Sequence, residues 1–130
     1  MCLHMLQKKR RSADDIVCYK ILIKDRYGNL FSPLHPFLWK LNVEYKAERR
    51  WSPLARNEVK DGYFHTYGDR PSGRIVVSLP AHDSTVVLCK CIIPKGSYYY
   101  FGEHSNGVLG YASKKLKIVE IIHEYEKENS

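Results

Sequence analysis

Apolar positions recur with a period of two along most of the chain, and clusters of glycine, proline and small polar residues separate the runs. The most hydrophobic run is Thr85–Ile93. Val87, Cys89, Cys91 and Ile93 fall on one face of it, and Val86, Leu88, Lys90 and Ile92 on the other, so both faces are mostly apolar. This pattern predicts an interior strand covered on both sides. Pro94-Lys95-Gly96 turns the chain, and the aromatic run Tyr98–Phe101 returns it. Earlier, Ile16–Lys24 alternates, with Val17, Tyr19, Ile21 and Ile23 on the expected core face. Asp25 to Asn29 has turn chemistry, because Gly28 and Asn29 accept positive φ, and Leu30-Phe31 reads as a hairpin return. Phe37–Tyr45 reads as one strand with Phe37, Trp39, Leu41, Val43 and Tyr45 on a single face.

Residues 62–67 and 74–79 read as further strands. Residues 46–61 read mainly as a long surface loop, with a helical turn after Ser52-Pro53 where serine can cap and proline fits the first helical position. Asn106-Gly107 signals a hairpin. Tyr111–Ile122 fits two periods. As a strand, Leu116, Ile118 and Ile122 share a face; as a helix, Ile118, Ile121, Ile122 and Tyr125 do. Its β-branched residues favour a strand through Ile122. The expected fold is mainly β: about seven mostly antiparallel strands with at most one or two short helices. A β-rich α+β arrangement is the alternative. The expected organisation is a flexible basic arm with little to bury (1–15), a single β-rich domain (16–122) and an acidic tail (123–130).

Composition sharpens this picture. A chain of 130 residues that is 44% hydrophobic can bury a core without disulfides or a structural metal. The net charge is +7, and residues 1–24 carry six Lys/Arg against two Asp. Four of the cations are consecutive: Lys8, Lys9, Arg10 and Arg11. Such a run meets phosphate or another anionic surface, or is simply a solvated terminus. The four cysteines (Cys2, Cys18, Cys89 and Cys91) lack the pattern of a secreted disulfide framework. Cys2–Leu6 is too short for the apolar core of a signal peptide, and no run reaches the ~20 apolar residues of a membrane helix. The expectation is a cytoplasmic protein with no membrane, cofactor or structural metal.

Three groups of residues invite a chemical reading. Cys89 and Cys91 share a strand face with Cα atoms about 6.5–7 Å apart, at the limit for a mutual disulfide, and no further ligands stand at metal-binding spacing. They read as small buried hydrophobes. His65 lies in an aromatic strand with Tyr67 two residues on, followed by Asp69 and Arg70, and these four form a candidate ligand site. A structural histidine at a strand end is the plainer alternative. Tyr98 and Tyr100 beside Lys95, together with Lys8, Lys9, Arg10 and Arg11, form a candidate nucleic-acid surface of rings and cations. Core packing of the tyrosines competes with it. Neither a phosphate-binding glycine loop nor a nucleophile elbow nor a zinc-protease motif is present.

On these residues the chain resembles a set of small uncharacterised proteins from bacteriophages and their gut-bacterial hosts. The likeness rests chiefly on Cys91-Ile-Ile-Pro-Lys-Gly96 with Tyr98-Tyr99, then Tyr111-Ala-Ser-Lys-Lys-Leu-Lys-Ile118. Cys18-Tyr-Lys-Ile-Leu22 with Gly28-Asn-Leu-Phe-Ser32, and Gly62-Tyr-Phe-His65, add to it. An extra tyrosine after Gly62 and Thr66 in place of serine depart from the pattern. The resemblance implies a compact domain in a mobile-element setting, in the host cytoplasm if phage-encoded, and implies no reaction. Three functions follow as expectations. The first is a non-catalytic accessory or binding module for a protein or nucleic-acid partner, and the second is nucleic-acid binding through the basic arm. The third is an ADP-ribosyltransferase-like enzyme or inactive relative, suggested by the strand-borne His65-x-Tyr67, with Glu103 and Glu120 lacking the motif of a catalytic glutamate.

Overall fold

The computed structural model describes residues 3–5, 8–33, 37–47, 58–59, 63–71, 83–104 and 107–125. Twelve strands and no helix occur among them. In chain order these are β1 (Leu3–Met5), β2 (Arg10–Arg11), β3 (Ile16–Lys24), β4 (Leu30–Phe31), β5 (Leu38–Trp39) and β6 (Glu44–Lys46). They continue with β7 (Glu58–Val59), β8 (Phe64–Tyr67), β9 (Thr85–Ile93), β10 (Tyr98–His104), β11 (Leu109–Ser113) and β12 (Lys115–Tyr125). All belong to one sheet of order β6-β12-β9-β3-β8-β11-β10-β1-β7, with β2 on β10 and β4 between β3 and β5. Every pairing is antiparallel. The mainly-β expectation holds; the strands outnumber the seven expected because short ones at the two ends and around Leu30–Trp39 extend the sheet. The helical turn after Ser52-Pro53 and the strand at 74–79 lie outside the described residues.

β9 is interior, flanked by β3 and β12 along nearly its whole length. Val87, Cys89, Cys91 and Ile93 are fully buried on one face, with Val86 and Leu88 buried on the other. The first set joins Cys18, Leu22, Leu30, Trp39, Leu116 and Ile118 in the main core. Each large aliphatic side chain buried there contributes roughly 1.5–3 kcal/mol. The sheet curls about this core. Phe64 of β8 and Tyr45 of β6 have three strands between them in the sheet order, yet both rings pack on Trp39. The single residue Lys114 separates β11, paired with β8 and β10, from β12, paired with β6 and β9, so the chain turns a corner there. Among the described residues, Tyr19–Tyr67 is the single backbone-paired position between β3 and β8.

Several sequence expectations are corrected. On β3 the main core takes Cys18 and Leu22 rather than the Val17 face; Val17 is 45% exposed, while Ile21 packs in a second cluster with Val86 and Leu88. The register explains this: Cys18 lies opposite Cys91 and Leu22 opposite Val87, so they must share the inner face of β9. Phe37–Tyr45 is not one strand. It turns at Leu41-Asn42, with Asn42 at φ 61°, a left-handed conformation that asparagine accepts more readily than most residues. Leu41 and Val43 are consequently exposed. Bulges in β12 between Ile118 and Glu120 and between Ile121 and His123 shift the alternation. Ile121 therefore packs on the Leu116/Ile118 side, and Ile122 on the opposite one. β12 also continues to Tyr125, into the expected tail.

The segment expected to be an arm with little to bury is built into the sheet where it is described. Leu3 is fully buried against Tyr100 and Ala112, and both β1 and β2 pair with β10. Ser12, 4% exposed, clamps the Pro94–Ser97 turn. Its amide donates to the Ser97 carbonyl (2.9 Å) and its hydroxyl to the Pro94 carbonyl (2.9 Å), while its own carbonyl accepts from the Gly96 amide (2.9 Å). Gly96 takes φ 86° at this turn, which is why glycine stands there.

Candidate functional site

The pairing of β2 with β10 gathers most of the expected nucleic-acid residues. Arg11 lies opposite Tyr98 and Arg10 opposite Tyr99. Lys8, Lys9, Arg10, Arg11 and Lys95 are all exposed, and Tyr98 is 48% exposed. The Lys9 ammonium sits 5.1 Å from the Tyr98 ring centre, and Arg11 Nε donates to the Gly96 carbonyl at 3.1 Å. On the same face the Lys114 ammonium sits 4.7 Å from the ring of Tyr63, which packs edge-on to Tyr100. Tyr100 itself is 8% exposed and belongs to the core with Leu3 and Ala112, so its ring offers no surface for stacking. Alternation along β10 places Tyr99 on the opposite face, half-buried beside Tyr111 and in register with Arg10. The basic strand thus presents cations to both faces of the sheet edge. Lys95 is held by its amide, which donates to the Asp15 carboxylate at 2.8 Å.

The His65 group is arranged around a residue that sequence reading passed over. His104, 2% exposed at the end of β10, packs against Tyr67 (5.3 Å between ring centres) and His65 (5.9 Å). Its Nε2 lies 2.6 Å from the Thr66 carbonyl. A carbonyl only accepts, so Nε2 carries the hydrogen and donates, leaving Nδ1 as a buried lone pair. Burial pushes the imidazole pKa down, and the charge of Lys20 adds to this, so the ring is neutral near pH 7. Gly110 makes the room: a Cβ there would collide with the Thr66 carbonyl and the His104 ring. Arg70 stacks over Tyr19 at 5.9 Å, next to Tyr67 across the bridge, whereas the exposed Asp69 carboxylate accepts from the Arg70 amide. His65, Tyr67 and Arg70 are therefore neighbours, and Asp69 caps the loop. Glu103 lies on the other face of β10 by alternation, and Glu120 on β12 opposite Lys90. Gly110 pairs with Gly102 on β10 and with Tyr67 on β8, so its place beside His104 follows from strand pairing and carries no local signal in the sequence.

The third group lies in the core. Cys18, Cys89 and Cys91 are fully buried free thiols. Lys20 shares their face, lies opposite Cys89, and donates from Nζ to the His65 carbonyl at 2.8 Å. Burial pushes its pKa down. The Cys91 thiol donates to the Cys89 carbonyl at 3.7 Å. The neighbouring Cys91 thiol, and after it the Lys20 charge, lower the Cys18 pKa. Burial drives the other two thiols up, Cys89 to about 12. Among the described residues no group of three or more His, Cys, Asp or Glu side chains could hold a metal ion, and no helix is long and apolar enough to cross a membrane. A shallow groove beside Leu38, Trp39, Leu41 and Ile121 contains none of the candidate residues.

Comparison with known proteins returns no matching family, no matching curated protein and no matching solved structure.

Proposed function

We propose that this protein is a non-catalytic binding module whose ligand is single-stranded nucleic acid, held along the β2–β10 edge. A phage or mobile-element accessory role in the host cytoplasm is the setting in which we place it. The observation that carries the reading is the register of β2: Arg10 and Arg11 pair with Tyr99 and Tyr98, and the Lys9 ammonium sits over the Tyr98 ring, so three consecutive cations lie beside one exposed and one half-buried ring. Cations meet the phosphate backbone, and an exposed ring stacks on an unpaired base of any identity. A duplex hides its base faces, so the rings favour single strands.

The test is fluorescence anisotropy with a labelled oligothymidylate across a salt series. Wild-type affinity is expected to fall steeply, because each phosphate neutralised on a single strand contributes about 0.7 to the log–log slope. Replacing Lys8, Lys9, Arg10 and Arg11 with glutamine should flatten that slope by about 3. A flat salt response in the wild type, or an unchanged slope in the variant, rejects the reading.

A further inference from the structure

Binding at the β2–β10 edge leaves other cations and rings of the same sheet face unused. We infer that a bound single strand continues past that edge, over Lys114 and Tyr63, to a second anchoring site at Arg70 and Tyr19. This path presupposes the edge binding proposed above and adds the far end of the ligand's course. Register puts these residues on one face. Tyr100 lies opposite Ala112 and Ala112 opposite His65; Gly102 lies opposite Gly110 and Gly110 opposite Tyr67. Directly paired residues on neighbouring strands point to the same side, as do residues two apart on one strand. Tyr98, Tyr100, His65 and Tyr67 therefore share a face, and Tyr19, paired with Tyr67, joins them.

Three cation–ring pairs mark the path: Lys9 over Tyr98 (5.1 Å), Lys114 over Tyr63 (4.7 Å) and Arg70 over Tyr19 (5.9 Å). The first two are neighbours, because the Lys114 amide donates to the Tyr98 carbonyl at 3.0 Å. Each pair combines what a single strand requires, a positive charge for phosphate and a flat ring beside it for a base. From Tyr98 to Tyr19 the sheet is crossed by three strand spacings and about four residues, roughly 20 Å at ~4.8 Å per strand and ~3.3 Å per residue. A stacked strand advances about 3.4 Å per nucleotide, so the path holds on the order of six nucleotides. The far end is basic. Arg70 is exposed, and half-buried Lys90 lies opposite Tyr19. Two carboxylates stand nearby: Asp69, which accepts from the Arg70 amide, and Glu120, opposite Lys90. The ion pairs among the described residues, Lys24–Glu124 and Arg26–Asp83, involve neither Arg70 nor Lys90, so both cations remain open to phosphate.

The experiment uses the full chain and an oligothymidylate of about twelve nucleotides, longer than the path. Ultraviolet crosslinking of the wild-type complex, with the peptides mapped by mass spectrometry, should yield adducts on β3 or β8 as well as on β10. In a salt-titrated anisotropy series, Arg70→Gln should lower the log–log slope by about 0.7, and adding Lys114→Gln should bring the loss to about 1.4, one phosphate for each cation. Thermal unfolding of both variants checks that they are folded. Crosslinks confined to β2 and β10 overturn the inference, as does a folded Arg70→Gln with the wild-type slope; salt-dependent binding in those cases leaves the edge reading standing. Wild-type protein with no salt-dependent binding removes the edge reading and this path with it. The wild-type crosslink map decides the question even if a variant fails to fold.

Discussion

The β3–β9–β12 half of the sheet and the β8–β11–β10 half are built from different residues and carry different chemistry. The first is long-stranded and aliphatic, with Leu22, Val87, Ile93, Leu116 and Ile118 fully buried. The second is aromatic and receives the chain's basic strand on its outer side, where Tyr98 stays 48% exposed. The difference separates architecture from recognition. Aliphatic side chains gain only by leaving water, so they settle in the centre of the curl. Tyrosine and arginine keep a polar or π-rich surface that is useful when half exposed, so they settle at the edge. The thiol–lysine cluster sits on the aliphatic side but touches the other half through the His65 carbonyl, beneath the Tyr19–Tyr67 bridge.

The comparison can be broken most severely from its aliphatic side. Leu22→Ala should cost about 3–5 kcal/mol in urea unfolding, since the cavity lies in the closed part of the core. Nucleic-acid affinity per folded molecule should be unchanged. Ser12→Ala comes next. It removes the hydroxyl that binds the Pro94 carbonyl and accepts from the Ser97 amide, and should cost about 1–3 kcal/mol. Because Ser12 fastens β2 to the turn, the same variant should weaken oligothymidylate binding by anisotropy, which Leu22→Ala should not. Tyr98→Ala sharpens the contrast in the other direction: stability within about 0.5 kcal/mol of wild type, with about 1–3 kcal/mol lost from binding if one base stacks there.

His104 gives the smallest effect, and its sign follows from burial. Its folded pKa lies below the ordinary value of about 6.5, so the unfolded chain takes up a proton first as the pH falls. Stability from this group is complete above about pH 6.5 and is lost as the pH drops toward the folded pKa. Thermal unfolding followed across that window should show a shallower decline for His104→Gln, whose amide can still donate to the Thr66 carbonyl. An equal decline in both proteins would remove His104 from the account.

Local pattern was enough to determine that the protein is mainly β, that Thr85–Ile93 is an interior strand, and that the chain turns at Gly28, Gly96 and Gly107. Alternation and turn chemistry act over a few residues, so they are written in the chain. Which face of β3 enters the main core was decided by pairing: Cys18 had to follow Cys91 inward, a constraint that spans more than half the chain. The same holds for Ser12 on the Pro94–Ser97 turn, for His104 between Tyr67 and His65, and for the basic strand on β10. Period-two reading cannot see a bulge either, and so placed Ile122 where Ile121 packs. Long-range register and curvature are set by the summed free energy of closing the sheet around one core, and no short stretch of sequence contains that sum.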